Sequence, residues 1–333
     1  MTIEQLAHGN ALSVADAVAA LDDESRPLAG GTDLVALMKD GLSAPKRLVN
    51  LKTIVGGAEV KSTADGWHLG SLVTLSTLAD HPRLTCEAGL ACLPSAASQS
   101  ASPQLRHMAT LGGNLLQRPR CWYFRNPKVD CWRKGGQRCF AIVGENKYHT
   151  ILGRSPCVAV HSSDPAVALL ALDASVVIAG PRGERTVELA ELYDAPARGR
   201  QMPDGYRPVA QLAVDEMITE VLIPWPPAGA QSVYVKKAER GAWDFALISV
   251  AIVLATSADG AIAHARVALG GVANVPWRAT ASEAALVGRM PTPGTIREAA
   301  DAAVAGARAL RDNGYKIDLA KAAVREALRA LVV

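Results

Sequence analysis

An α+β fold in three packed units is what the sequence predicts, and three observations predict it. Arg26-Pro-Leu-Ala-Gly-Gly-Thr-Asp-Leu-Val-Ala-Leu-Met38, followed by Arg47-Leu-Val-Asn-Leu51, reads as strand, glycine turn, helix and strand, a small α/β unit over 1–55. The strand-like run Met217-Ile-Thr-Glu-Val-Leu-Ile223 is stopped by Pro224-Trp-Pro-Pro227, which marks a boundary and leaves a larger α+β unit over 56–226. Beyond it, strand-like segments at 231–239, 246–256 and 262–273 precede alanine-rich amphipathic segments at 280–288, 294–311 and 318–331. These make a C-terminal unit of sheet and helices over 230–333, and a chain of 333 residues is long enough for such a division.

Taken in order, Ser13 is a predicted N-cap for a helix whose apolar face is Val14, Ala17, Val18 and Leu21. In the first glycine turn, Gly30 and Gly31 allow a ligand close to the backbone. Thr32 and the amides that open the next helix suit phosphate oxygens. The turn is not the dinucleotide fingerprint G-x-G-x-x-G. Residues 58–72 alternate as two short strands, Thr74 begins a helix, and 86–98 reads as one helix with Cys86 and Cys92 as buried small apolar side chains. Ala109-Thr-Leu-Gly-Gly-Asn-Leu115 is a second glycine loop; two such loops suggest two sides of one phosphate-bearing ligand. His161-Ser-Ser-Asp-Pro-Ala166 and the apolar run after it predict a helix capped by Asp164 with Pro165 in its first turn. Ser175-Val-Val-Ile-Ala-Gly180 is a strand and Pro181-Arg-Gly183 a hairpin turn.

Composition narrows the function classes. Apolar residues are 49%, charged residues 20% and the net charge is +3, which gives a globular core and no electrostatic case for nucleic acid. No stretch approaches the length of an apolar membrane span, and Met1-Thr-Ile-Glu-Gln5 lacks the basic and apolar regions of a signal peptide. The expectation is a soluble cytoplasmic chain with reduced thiols, or a periplasmic one carried across by a signal-bearing partner. No Ser/His/Asp constellation points to hydrolysis.

Four of the six cysteines, Cys121, Cys131, Cys139 and Cys157, fall in one stretch. Gathered thiolates suit zinc or an iron–sulfur cluster, and in an oxidising compartment they could pair as disulfides. The spacing lacks the C-x2-C knuckle of most structural zinc sites and differs from compact ferredoxin runs, so spacing alone does not name the metal. Arg118, Arg120, Arg125, Lys128, Arg133, Lys134, Arg138 and Lys147 outnumber Asp130 and Glu145 there, an excess that would offset a negatively charged thiolate cluster.

The two glycine loops, the Asp164 segment and Tyr234-Val-Lys-Lys-Ala-Glu-Arg-Gly-Ala-Trp-Asp-Phe-Ala246 stand in an order that resembles the FAD-binding medium subunit of the xanthine dehydrogenase and carbon monoxide dehydrogenase family of molybdenum hydroxylases. The resemblance runs from about residue 5 to the C-terminus. It implies a two-part FAD-binding domain of the vanillyl-alcohol-oxidase-like type and a C-terminal domain of the CO dehydrogenase flavoprotein type. Ala29, Gly30, Gly31, Thr32, Asp33 and Leu34 would wrap the FAD pyrophosphate, and Ala101, Thr110, Gly113 and Asn114 would bind from the second loop region. Asp164 would hold the adenosine side, Lys236 would lie near the flavin or its phosphates, and Ile218 would pack near the isoalloxazine. His149 and His161 are expected to be structural.

The cysteine stretch, with Cys121-Trp-Tyr-Phe-Arg125 and Asn146-Lys-Tyr-His149, is similar to an insertion of one branch of that family, placed here at about 116–160. That branch includes the flavin subunits of 4-hydroxybenzoyl-CoA reductase and periplasmic aldehyde oxidoreductase. There the insertion carries a [4Fe-4S] cluster, so Cys121, Cys131, Cys139 and Cys157 would each supply one thiolate. The implied partners are a molybdopterin-binding large subunit, a [2Fe-2S] small subunit and a ferredoxin-like or other electron acceptor. Aldehyde or N-heteroaromatic substrate would react on the large subunit. The alternatives are a stand-alone FAD oxidoreductase of the same fold, which gives no reason for four clustered cysteines, and a zinc-stabilised interaction module.

Overall fold

A computed structural model describes residues 6–193 and 201–332; the five N-terminal residues read above for an export signal lie outside them. The first unit is a parallel three-stranded sheet of β1 (Ala7–Asn10), β2 (Ser25–Leu28) and β3 (Arg47–Asn50) in the order β1-β3-β2. Two short helices, Val14–Ala20 and Leu34–Lys39, supply the crossovers that parallel pairing requires. Ser13 caps the first as predicted, its Oγ accepting from the Asp16 amide at 3.0 Å. Ala17, Leu21, Val49 and Leu51 make a small core that also takes Leu72 and Met217 from the next unit. β1 is fully exposed and has no apolar alternation, which is why the sequence reading did not find it.

The second unit holds a five-stranded sheet. Its strands are β4 (Val60–Ser62), β5 (Gly66–Gly70), β6 (Ser175–Gly180), β7 (Gly183–Glu188) and β8 (Met217–Pro224), in the order β4-β5-β8-β6-β7 with all pairs antiparallel. Short helices pack on it, and two predictions here need correction. The helix expected over 86–98 is two pieces, Pro82–Cys86 and Cys92–Ser98, and only Cys92 is buried while Cys86 is exposed. The second glycine loop is itself helical over Leu111–Leu115, with Thr110 Oγ1 accepting from the Gly113 amide at 3.3 Å.

The third unit is an antiparallel sheet of β9 (Gln231–Lys237), β10 (Ile248–Thr256), β11 (Ile262–Gly270) and β12 (Trp277–Arg278), in the order β12-β11-β10-β9. One face packs on the helices Thr280–Leu286, Pro293–Ala303 and Tyr315–Val332 through Ile252, Val267, Ala299, Ala323 and Leu328. The helix expected over 294–311 stops at Ala303. The opposite face carries Ala251, Val253, Ala255 and Ala268 into the same core as Leu93, Leu169 and Val176 of the second unit. The second and third units therefore share one interior, whose centre is the wholly buried helix Asp164–Ala171.

Candidate cofactor site

The two glycine segments meet. Gly30 lies against the segment leading to the second loop so closely that a Cβ on it would sit 1.7 Å from the Met108 carbonyl oxygen, and Gly31 takes a φ of +71°, which a side chain would resist. Between the segments lies a cavity of about 210 Å³. Its walls contain all of Ala29, Gly30, Gly31, Thr32, Asp33 and Leu34 from the first loop, Thr110 and Gly113 from the second, and Ile218 from β8.

Cations frame it. Arg26 and Arg118 line the same cavity. Arg26 sits in β2 with little exposure and its Nε is buried without a partner, while Nη1 donates to the Asp23 and Ser25 carbonyls. Arg118 pairs with Asp204 at 2.7 Å and lies 4.2 Å over the Tyr206 ring. A guanidinium with an open buried donor beside a glycine loop suits an anionic phosphate oxygen. Sequence reasoning missed Arg26, although a charged residue inside a buried strand immediately before a glycine turn is a usable signal.

Asp33 is differently engaged from what its place in the loop suggests. Its carboxylate accepts from the Arg118 amide at 2.8 Å and from Arg125 at 2.7 Å, and pairs with Arg120 at 3.0 Å. It joins the first loop to the cysteine stretch, and these cations neutralise a charge that would otherwise oppose a pyrophosphate.

The remaining candidates assemble apart from the cavity. The N-cap of the buried helix is Ser163 and not Asp164, because Ser163 Oγ accepts from the Ala166 amide at 3.1 Å. Asp164 is thereby free to accept from Tyr234 Oη at 2.5 Å, Ser100 Oγ at 3.3 Å and Lys236 Nζ at 2.8 Å. Lys236 also donates to the Gln99 carbonyl at 2.9 Å, and its side chain is only 6% exposed, so it is a buried partner and not a solvated edge charge. Ala101 adjoins this network with a φ of +49°, its carbonyl reached by Arg106. Asn114 links the two places: it belongs to the helical turn of the second loop and its Oδ1 accepts from Ser163 Oγ at 2.5 Å. Ile218 is both core and cavity wall, at 3% exposure.

The four clustered cysteines are free thiols, and Cys121, Cys131 and Cys139 each lie near enough to Cys157 for their charges to interact. Cys139 donates to Cys157, and Arg133 Nε donates to the Cys157 sulfur at 3.4 Å. Those contacts hold the Cys157 thiol well below its ordinary range and push Cys139 correspondingly up. Burial raises Cys131, and pushes Cys121 up to about 11. His149 Nε2 lies 3.2 Å from Cys121 Sγ while its Nδ1 is buried without a partner, so it is not the satisfied structural histidine expected. Among the described residues no group of three or more His, Cys, Asp or Glu side chains is placed to hold a single metal ion. No helix among them is long and apolar enough to cross a membrane.

Comparison with known proteins accords with this geometry. Residues 6–226 match the FAD binding domain in molybdopterin dehydrogenase, and residues 233–331 match the CO dehydrogenase flavoprotein C-terminal domain. The chain is 37% identical to the aldehyde oxidoreductase FAD-binding subunit PaoB of Escherichia coli (strain K12), over 88% of this chain and 87% of that one. It is 27% identical to the carbon monoxide dehydrogenase medium chain of Hydrogenophaga pseudoflava, over 96% and 94% of the two chains. The solved structure of carbon monoxide dehydrogenase from Hydrogenophaga pseudoflava lacking the Mo-pyranopterin moiety superposes with a TM-score of 0.75, at 26% identity, covering 99% of this chain and 98% of that one. With both family domains present in sequence and a fold to match, this chain belongs to the FAD-binding subunits of the molybdopterin-dependent dehydrogenases and oxidoreductases.

Proposed function

We propose that this chain is the FAD- and [4Fe-4S]-containing electron-transfer subunit of a heteromeric molybdenum hydroxylase. It would pass electrons between a [2Fe-2S] small subunit and an external acceptor, while an aldehyde or N-heteroaromatic substrate reacts on a molybdopterin-binding large subunit. The similarity to an aldehyde oxidoreductase subunit favours the aldehyde. The proposed compartment is the cytoplasm, with co-export beside a signal-bearing partner as the alternative.

The single observation that supports the reading is that Cys121, Cys131 and Cys139 each lie near enough to Cys157 to act on its charge, in a stretch tied to the first glycine loop by the Asp33 pairs with Arg120 and Arg125. FAD fits the cavity on three counts: glycine positions that no side chain could occupy, the open Arg26 Nε, and Arg118 at the wall. In this assignment Ala29 to Leu34, Thr110 and Gly113 hold the pyrophosphate and Ile218 covers the ring. Asn114 of the second loop, with Ala101, Asp164 and Lys236 of the buried network it is bonded to through Ser163, positions the cofactor. Bound there, FAD supplies the exchange between one-electron and two-electron carriers. The protein's own part is to fix the cofactor, exclude water from it and balance its charge.

A cubane fits the cysteine set as well. The support is the chemistry of the donor set: a [4Fe-4S] centre takes one thiolate on each of four irons, and four cysteines are what this stretch supplies. Cys121, Cys131, Cys139 and Cys157 are the four donors, each from a different loop or turn, and binding would release the protons that burial now holds on Cys121 and Cys131. Trp243 and Phe245 are exposed, and Phe245 lines a cavity of about 380 Å³ that also touches Cys121 and Arg240; this gives a ferredoxin-like acceptor a face next to the cluster.

The test is a cofactor count on the anaerobically purified complex. About one FAD with about four iron and four sulfide per chain is the expected result. Flavin with zinc and no sulfide would remove the cluster and leave a plain flavin subunit.

A further inference from the structure

Arg133 is an unusual residue for the middle of a cysteine-rich loop, because its side chain is among the largest fully buried in the protein, at 1% exposure. A lone buried guanidinium is costly unless its charge and its five N–H groups are used. The structure accounts for part of that need. Nε donates to Cys157 Sγ at 3.4 Å, and Nη1 donates to the Arg207 carbonyl at 2.9 Å. No carboxylate pairs with it among the described residues, and Nη2 is buried with no hydrogen-bond partner at all.

The stereochemistry of the group says which way the unused donor faces. In a guanidinium, Nε–H and the Nη2 amino group share one edge, the edge used for side-on bidentate recognition, whereas Nη1 lies on the other side. Here Nε is on the cysteine sulfur and Nη1 is on the Arg207 main chain, so the edge carrying the open donor is the one that faces the thiols. The group is also locked in place. The Arg207 amide donates back to the Arg133 carbonyl at 3.0 Å, and the Arg207 side chain donates to the carbonyls of Trp132, Gly135 and Gly136 while lying 4.7 Å over the Trp132 ring.

We infer that Arg133 sets the reduction potential of the cluster held by Cys121, Cys131, Cys139 and Cys157, through an N–H···S bond to the Cys157 ligand and a second donor offered to another sulfur of the same centre. This rests on the cluster assignment above. Reduction adds one negative charge to the centre, and a buried cation with donors on its sulfurs stabilises the reduced form more than the oxidised one, which raises the potential. Arg133 touches neither FAD nor substrate and acts only through the cluster.

The experiment is potentiometric titration of the intact complex, followed by electron paramagnetic resonance of the reduced cluster, for the wild type, Arg133→Lys and Arg133→Met. Arg133→Met should shift the reduction equilibrium at least tenfold against reduction, which is about 59 mV downward for one electron, while flavin content stays the same. Arg133→Lys keeps the charge, loses the fork and should fall between the two. Unchanged potentials in both variants with iron retained would overturn the assignment. If neither variant keeps iron, pulsed resonance on wild-type complex carrying 15N-arginine decides: a coupled nitrogen supports the contact, and its absence sinks it. A wild-type complex with flavin and no iron–sulfur signal would instead remove the cluster on which Arg133 is said to act.

Discussion

A methyl group on Gly30 would lie 1.7 Å from the Met108 carbonyl oxygen, and neither atom belongs to a flexible side chain that could move aside. Gly30→Ala must therefore push the two loops of the cavity apart. Overpacking of this kind costs about 1–3 kcal/mol, and the larger consequence falls on the cleft, so the variant should purify folded with much of its flavin lost. A normal flavin-to-protein ratio would show that the loops do not jointly hold the cofactor. His161 gives a second residue-scale prediction. Burial lowers it from 6.5 to about 4, so it is neutral in the folded chain throughout that interval. Between these values the unfolded chain binds a proton that the folded chain does not, so stability is complete above pH 6.5 and falls as the pH drops toward 4. The full interval corresponds to about 3 kcal/mol at 1.36 kcal/mol per unit. His161→Gln should flatten part of the difference between urea midpoints measured near neutrality and in mild acid; an identical pH profile would assign the acid lability to other groups.

At the scale of elements, the cysteine stretch has almost no regular structure and holds its shape through borrowed contacts. Its helices are the four-residue Trp122–Arg125 and the 3-10 turns Trp132–Lys134 and Phe140–Ile142. Arg207 clamps three of its carbonyls from outside, and Lys316 of the last helix donates to the carbonyls of Tyr148 and His149 as well as that of Gly271. Arg207→Met leaves those carbonyls of the cysteine stretch without their charged donor, where a charged hydrogen bond contributes about 1.5–3 kcal/mol. With the cluster proposed above, iron content should drop with flavin retained, and equal loss of both would place Arg207 in the general fold. The same contacts show what the sequence could and could not reveal. Glycine loops, the Ser13 cap and the cysteine grouping are local patterns, and each was legible. The partners of Asp33 lie 85 to 92 positions away and those of Asp164 lie 64 to 72 away, so nothing local announced that the first carboxylate serves arginines or that the second serves Tyr234 and Lys236. Asp before Pro suits a cap, but the adjacent Ser163 suits it equally and takes the role, while the Tyr234 hydroxyl and the Lys236 ammonium engage Asp164.

For the whole molecule, the proline cluster at 224–227 reads as a boundary, and family models also divide the chain there. Packing does not divide there. Tyr234, Ala251, Val253 and Ala268 lie in one continuous core with Trp67, Leu93 and Leu169, and every residue of the helix Asp164–Ala171 is buried. Without the third unit, that helix would expose one side of its apolar surface, and Asp164 would lose Tyr234 and Lys236 together. Removing the cation and hydroxyl from a buried carboxylate destabilises strongly, on the order of 3–5 kcal/mol, which is comparable with the whole stability of many domains. Residues 1–226 expressed alone should therefore fail to retain flavin and should lack a cooperative thermal transition, whereas the full chain should unfold its second and third units in a single step. A truncated chain that melts cooperatively and binds FAD would mean that the shared core is a contact between two self-sufficient bodies, and that Asp164 draws little from the strand that reaches it.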